Sequence, residues 1–170
     1  MARVAAIVLA AGEASRFGSP KQHLLLPHVL ARVRESSVDE IVVVAGAYDL
    51  DPAQDVRIVT CLEWRAGPGA SLRCGVSALD DDVEAAVVVL ADGPQLSPAA
   101  VERVLDDWRA NGGIVAASYA RERGHPLVLG RGDWENIPDE GLRDRLVRLV
   151  PCDDLGAPGD VDTADDWRRL

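Results

Sequence analysis

The chain has 170 residues, with 28 acidic and 18 basic side chains, a net charge of −10 and a mean hydropathy of +0.01. This length suits one α/β domain with a sizeable core, so we predict a single domain over residues 1–170. The acidic balance disfavours binding to nucleic acid, and the apolar runs are too short to span a membrane. No signal segment is evident, and the three cysteines show no Cys-x-x-Cys spacing, so we expect reduced thiols and a cytoplasmic protein.

The first predicted strand, residues 4–9, is continuously apolar and rich in β-branched side chains, as in parallel strands covered on both faces. The loop after it, residues 10–21, combines small residues with Arg16 and Lys21. Small residues let successive N–H groups converge on an anion, and the two cations add charge, so this loop is typical of a phosphate site. An ordinary strand-to-helix turn is the alternative. The glycine spacing fits neither a Walker A loop nor a dinucleotide fingerprint.

The next elements are a helix and two strands. The apolar spacing predicts a helix over residues 28–35, directly after Pro27, and strands over 40–45 and 56–60. A second glycine-containing loop, residues 64–72, then leads into a helix that we expect to continue through residue 79. On composition alone this loop is either a tight turn with a helix start or a ligand-binding loop.

Residues 85–90 form the most apolar predicted strand, so we place it at the centre of the sheet. Asp92 follows this strand directly, where open α/β sheets bind ligands, although an aspartate in a β-turn before Gly-Pro is also common. Ser97 as N-cap and Pro98 as the first helical residue predict a helix to about residue 111. A strand over 114–119 follows.

The C-terminal third contains one more predicted helix and an acidic tail. We expect residues 139–146 to be helical, with Leu142, Leu146 and Leu149 facing inward. Thr163 and Asp166 are spaced as a helix cap. The alternation of strands and helices predicts a three-layer α/β/α sandwich with a doubly wound, mostly parallel, Rossmann-like sheet.

The first loop resembles a known signature. Its residues Leu9, Ala10, Ala11 and Gly12, followed by Arg16, Gly18, Pro20 and Lys21, are similar to those of the MobA-like NTP transferases. That family includes the molybdenum-cofactor cytidylyl- and guanylyltransferases and is related to the sugar-phosphate nucleotidyltransferases. The resemblance implies a nucleotide-diphospho-sugar transferase-like fold, with Leu9 to Gly12, Arg16 and Lys21 at the nucleotide. Relatives usually carry extra residues where Pro27 here meets His28.

The resemblance continues at four later points of the chain. The segment with Trp64, Gly67, Ser71, Leu72 and Gly75 is similar to the family segment that contacts the nucleotide base. Leu-Ala-Asp-x-Pro around Asp92 resembles the metal-binding strand end, where relatives often have Gln in place of Gly93. Gly-His-Pro around His125 resembles the segment that lines the acceptor site, although a lone histidine is more often structural. The closing acids resemble the family signature that supplies a second metal ligand, which implies Asp162, with Asp160 as the fallback.

The implied reaction is nucleotidyl transfer: an acceptor phosphate oxygen attacks the α-phosphorus of a nucleoside triphosphate, and pyrophosphate leaves. Asp92, Arg16 and Lys21 are the implied catalytic residues, and Asp92 and Asp162 would hold Mg²⁺. Within the molybdenum-cofactor branch, Ala11 favours CTP over GTP, and the acceptor would be a phosphorylated small molecule such as molybdopterin. The sequence does not predict an oligomeric state.

Two other classes of function stay open at this point. Some relatives of this family are named as oxidoreductases of pigment or nicotine metabolism, although the dinucleotide fingerprint is absent here. A nucleotide-binding module without turnover is the second, because residues typical of the family are missing after Pro27.

Overall fold

The structure is a computed structural model that describes residues 2–12, 21–51 and 54–170, except the side chains of Lys21 and Gln22. Seven strands form one sheet in the order β3-β2-β1-β4-β6-β5-β7, and β6 alone among them is antiparallel to its neighbours. The elements are β1 (Arg3–Ala10), α1 (Lys21–Arg34), β2 (Glu40–Ala45), β3 (Val56–Thr60), α2 (Pro68–Ser77), β4 (Val83–Leu90), α3 (Pro98–Asn111), β5 (Ile114–Tyr119), β6 (Glu122–Gly130), β7 (Arg148–Pro151) and α4 (Ala164–Arg168).

The core lies on both faces of this sheet. Alternate residues of β1 point to opposite sides, with Val4, Ala6 and Val8 packing against α1 and α3. Ala5 and Ile7 pack on the other side, against α2. The predicted α/β/α layers are therefore confirmed, and β4 lies inside the sheet between β1 and β6 as its apolar sequence indicates.

Helix α3 begins as the sequence predicts. The Ser97 hydroxyl accepts a hydrogen bond from the Ala100 N–H at 3.4 Å, and Pro98 is the first helical residue. Helix α2 ends at Ser77, two residues before the predicted end. Within the described ranges, no helix is long and apolar enough to cross a bilayer.

Helix α1 differs from the prediction at its start. It begins at Lys21, seven residues before the predicted start at His28, and Pro27 lies inside the helix. Leu25 and Leu26 are buried together with Val29, which extends the apolar face one turn earlier than predicted. This burial offsets the cost of an interior proline, which removes one helical hydrogen bond.

The predicted helix over residues 139–146 is wrong. This stretch forms turns, with Gly141 at φ +95°, and only Leu142 of the three leucines expected inside is buried, whereas Leu146 is 96% exposed. The carbonyl of Asp139 accepts a hydrogen bond from the Gly69 N–H at 2.8 Å. The backbone here therefore closes short turns, with the Arg145 N–H donating to the Leu142 carbonyl, and also bonds to the start of α2.

The expectation of three reduced cysteines is also wrong. Cys61 and Cys74 form a disulfide, and Cys152 is a free, buried thiol. The two partners are 13 residues apart, at the end of β3 and within α2, and their Cα atoms lie 5.8 Å apart. Sequence spacing did not reveal this pair because the loop between them folds back onto the sheet.

Candidate functional site

Three carboxylates meet at the edge of the sheet where the parallel strands end. Asp92 follows β4, while Asp160 and Asp162 belong to the C-terminal segment. One carboxylate oxygen of each lies within 4.8 Å of the others. The N–H of Val161 donates to the Asp92 carbonyl at 3.0 Å, which brings the residues on either side of Val161 to Asp92.

Gly93 allows this close approach. A Cβ at position 93 would lie 2.9 Å from Cβ of Pro158 and 3.3 Å from the carbonyl oxygen of Gly159. The Gln95 N–H also donates to the Pro158 carbonyl at 2.9 Å. The glycine that departs from the family pattern is thus the residue that admits the C-terminal segment to the site.

Asp166 fixes the backbone at Asp162. Its carboxylate accepts hydrogen bonds from the N–H groups of Thr163 at 3.0 Å and Asp162 at 3.1 Å, while the Thr163 hydroxyl accepts from the Asp166 N–H. This is the predicted cap, and its hydrogen bonds hold the pKa of Asp166 below its usual range because they favour the ionised form. Asp165, by contrast, forms an ion pair with Arg168 at the surface.

The three carboxylates have the chemistry of a divalent-cation site. Asp92 and Asp162 are half-buried and Asp160 is exposed, so a cation would reach the cluster from solvent. Carboxylate oxygens are the ligands that Mg²⁺ and Mn²⁺ prefer, and like charges this close together repel one another unless a cation neutralises them. The donor set therefore fits such an ion.

The first of three adjoining cavities, the glycine cavity, has a volume of about 580 Å³ and is lined by Leu9, Ala11, Gly12, Trp64, Gly67 and Ser71 among others. Gly12 is exposed, and a Cβ added there would meet no atom of the described residues within 4 Å. Ser71 is buried in the second turn of α2. Both glycine-containing loops predicted from the sequence therefore open onto one space.

The Gly67 loop is held by backbone contacts to residues 138–141. Gly67 has φ +140°, and a Cβ on it would lie 2.3 Å from the Asp139 carbonyl oxygen. A Cβ on Gly69 would lie 1.6 Å from the Pro138 carbonyl oxygen. Arg73 adds hydrogen bonds to the Ile137 carbonyl at 2.7 Å and to the Asp139 carboxylate at 2.6 Å. The backbone of residues 138–141 leaves no room for a side chain at Gly67 or Gly69, so glycine is required at both positions independently of any ligand.

The other two cavities continue along the same edge. The arginine cavity, about 600 Å³, is lined by Leu9, Leu72, Arg123, His125, Glu140 and Arg143 among others. The aspartate cavity, about 560 Å³, is lined by Asp92, Tyr119, Arg123, His125, Pro158 and Asp160 among others. Leu90, at the end of β4, lines all three cavities, so they form one continuous depression.

His125 forms the wall between the arginine and aspartate cavities. Burial, with a smaller contribution from the positive charge of Arg123, lowers the pKa of His125 to about 4. The imidazole is therefore neutral at pH 7. The Tyr119 hydroxyl donates to the His125 carbonyl at 2.9 Å, and the His125–Pro126 peptide is cis. His125 thus offers the site a neutral polar ring rather than a charge.

The structure brings most of the predicted site residues together. Asp92 and His125 line the aspartate cavity, Asp162 lies beside Asp92, and Gly12, Gly67 and Ser71 line the glycine cavity. Ala10 is an exception, because its side chain packs in the core on the α1 face. The predicted roles of Arg16 and of the Lys21 side chain fall outside the described parts of the chain.

Sequence reasoning missed Gly46 and Arg123. A Cβ on Gly46 would lie 2.6 Å from Cγ of Trp64 and 2.8 Å from the Ala11 carbonyl oxygen, so this glycine seats Trp64 beside the first loop. Gly46 directly follows β2, and the rule that places Asp92 at a strand end would have found it. Arg123 belongs to β6, which the sequence analysis did not predict as a strand.

Comparison with known proteins identifies the family. A sequence model described as the MobA-like NTP transferase domain matches residues 6–150. The chain belongs to the MobA-like NTP transferase family. A curated relative, the bifunctional protein GlmU of Trichlorobacter lovleyi, is 31% identical over 145 residues, which cover 77% of this chain and 31% of that protein. The chain spans between about three and four tenths of the length of the curated relatives that it matches.

Solved structures agree with this membership. The structure of Rv0371c from Mycobacterium tuberculosis H37Rv has a TM-score of 0.80 and 28% identity, over 99% of this chain and 98% of that one. Its complex with manganese has a TM-score of 0.74 and 29% identity, over 98% and 96% of the two chains. The MobA-like family resemblance seen in the motifs therefore extends over the whole fold.

Proposed function

We propose that this protein is a single-domain nucleotidyltransferase, residues 1–170, that transfers a nucleoside monophosphate to a phosphorylated small-molecule acceptor and releases pyrophosphate. Family membership supports the reaction class. The observation that carries the proposal is the cluster of Asp92, Asp160 and Asp162, two of which line the aspartate cavity together with His125. We further propose CTP as the preferred nucleotide, a molybdopterin-like acceptor, and a cytoplasmic location, where such triphosphates are held.

The nucleotide would occupy the glycine cavity. Its phosphates would approach Ala11 and Gly12, which both line this cavity, and its base would lie toward Gly67 and Ser71. Arg16 and Lys21 would draw negative charge from the triphosphate. The buried methyl group of Ala11 narrows the same cavity, which supports the smaller cytosine over guanine.

Asp92, Asp160 and Asp162 would hold a divalent cation, Mg²⁺ or Mn²⁺. Such a cation, when bound, neutralises charge that develops on the phosphates during transfer. The manganese complex of a protein with 29% identity supports this metal class. Asp166 would keep Asp162 in place by binding its N–H.

The acceptor would occupy the depression around His125. Its attacking phosphate oxygen is already anionic, so the reaction needs no strong general base. The lowered pKa of His125 agrees with this, because the neutral ring would orient the acceptor without supplying a charge. Catalysis would then depend on positioning and on charge neutralisation.

The test is pyrophosphate release from CTP, GTP, ATP or UTP, with Mg²⁺ or Mn²⁺, in the presence and absence of molybdopterin. Release with one nucleotide that depends on both metal and acceptor supports the proposal. Arg16→Ala and Lys21→Ala should each lower the rate on the order of 100-fold while the thermal midpoint stays unchanged. Metal-dependent thermal stabilisation by a nucleotide without any release would instead indicate a binding module.

A further inference from the structure

We propose that Arg123 and Arg143 form a phosphate-binding subsite that holds the acceptor as a phosphate monoester. This inference rests on the proposed function and assigns the residues that recognise the acceptor's charge. Both arginines line the arginine cavity, and Arg123 also lines the aspartate cavity. An anion bound between them would therefore lie next to the carboxylate cluster.

The charge state of the two arginines supports an anionic partner. The chain carries ten more acids than bases, and several arginines among the described residues pair with carboxylates, as Arg34 does with Asp55 and Arg103 with Asp154. Arg123 and Arg143 form no ion pair with any described residue, although Glu140 lines the same cavity. Two uncompensated guanidinium groups on one cavity of an acidic protein attract an anion.

The position of Arg123 is set by a tight hairpin. Ala120 and Arg121 both have positive φ, 51° and 69°, as in the two-residue turns that join antiparallel strands. Arg123 then pairs with Ser118 of β5. The side chain of Arg123 is exposed, and the partial desolvation of its guanidinium lowers the pKa of Arg123. An anion would offset that desolvation.

The position of Arg143 is set by its buried neighbour. Leu142 packs in the core, and Arg145 donates hydrogen bonds to the carbonyls of Glu135 and Asn136 at 3.1 and 2.9 Å. Arg143 is exposed between these two anchored residues, on the wall of the arginine cavity. A phosphate monoester suits such a pair because its three terminal oxygens can accept hydrogen bonds from two guanidinium forks.

His125 adds no charge of its own to the subsite. It lies on both cavities beside Arg123 and is neutral at pH 7, so the local positive charge comes from the arginines. An acceptor without a phosphate would leave both guanidinium groups unpaired. The subsite therefore selects for the same group that the transfer reaction consumes.

The experiment measures inorganic phosphate binding to metal-free protein by NMR, at constant ionic strength, using the arginine Nε–Hε and His125 ring signals. We expect saturable shifts in the parent protein and about tenfold weaker affinity in Arg123→Gln and in Arg143→Gln, since a charged hydrogen bond contributes enough for one order of magnitude. Arg121→Gln is the matched control: it removes the same charge two residues away and should change the affinity less than twofold.

Three results would overturn the subsite. They are unchanged phosphate affinity in either variant, an equal loss in the Arg121→Gln control, or acetate binding as tight as phosphate. Because the assay needs no nucleotide, it separates this proposal from the previous one. If the parent protein does not prefer phosphate to acetate but still releases pyrophosphate, the subsite is rejected. If phosphate binds as expected but no pyrophosphate is released under any condition, the proposed transferase function is rejected.

Discussion

Acid titration of His125 tests the geometry of the depression on which the acceptor proposal depends. The pKa of His125 is about 4 in the folded protein, against 6.5 for an unburied histidine. Between these pH values the unfolded chain binds a proton that the folded chain does not bind. The stability that the neutral ring contributes is therefore complete above pH 6.5, and it is lost as the pH falls to about 4.

The size of the effect follows from the two pKa values. Each pKa unit corresponds to about 1.4 kcal/mol, so the free energy of unfolding should lose about 3 kcal/mol through this one ring. Many carboxylates also titrate at low pH. Their contribution is common to the parent protein and the His125→Asn variant, and it cancels when the free energies of unfolding of the two proteins are subtracted.

The assay is urea unfolding of both proteins between pH 4 and pH 8. We expect the stability of the parent relative to His125→Asn to fall by about 3 kcal/mol from the top to the bottom of this range. NMR gives a second readout. The ring signal that is present in the parent and missing from His125→Asn belongs to His125, and its titration is then followed in the parent. A stability difference that does not change with pH, or a ring that titrates near 6.5, would refute a desolvated, neutral His125.

Three further changes test the rest of the site. Asp92→Asn should keep the fold but lower metal-dependent nucleotide affinity by orders of magnitude, measured by calorimetry, while Asp165→Asn, outside the carboxylate cluster, should match the parent. Gly69→Ala should lower the free energy of unfolding by about 3 kcal/mol or more because its Cβ overlaps a neighbouring carbonyl, whereas Gly12→Ala should change it by less than about 0.5 kcal/mol and weaken only nucleotide binding. Ala11→Gly should move the ratio of CTP to GTP affinity toward GTP, and tighter GTP than CTP binding by the parent would contradict the stated base preference.

Local patterns predicted the parallel part of the fold well. Strands β1, β2 and β4 are continuous apolar runs, and α3 has both its N-cap serine and its proline, so one physical signal suffices for each. Asp92 was placed at the end of a central strand because it follows the most apolar run of the sequence. These residues are determined by their immediate neighbours in sequence.

The errors occurred where distant segments decide the structure. Residues 139–146 have helical spacing, but they form turns, and the Asp139 carbonyl accepts a hydrogen bond from Gly69 at the start of α2. Polar and apolar residues alternate poorly along β6, which also contains a proline. This segment is recognised as a strand only from its pairing with β4 and β5. The disulfide between Cys61 and Cys74 likewise depends on how α2 packs on the sheet. None of these could be deduced from spacing along the chain.

Because β6 runs in the reverse direction, the residues proposed to bind the nucleotide and those proposed to bind the acceptor lie on different kinds of segment. The glycine loops and Asp92 follow parallel strands, whose length and spacing the core constrains, whereas Arg123 and His125 stand at the start of β6, just after the hairpin turn. The hairpin at residues 120–121 projects from the sheet, so exchanging or lengthening it would leave the strand pairing of β4 intact. Under the proposed function, chimaeras that swap this hairpin between relatives should exchange the acceptor preference and keep the nucleotide preference of the recipient.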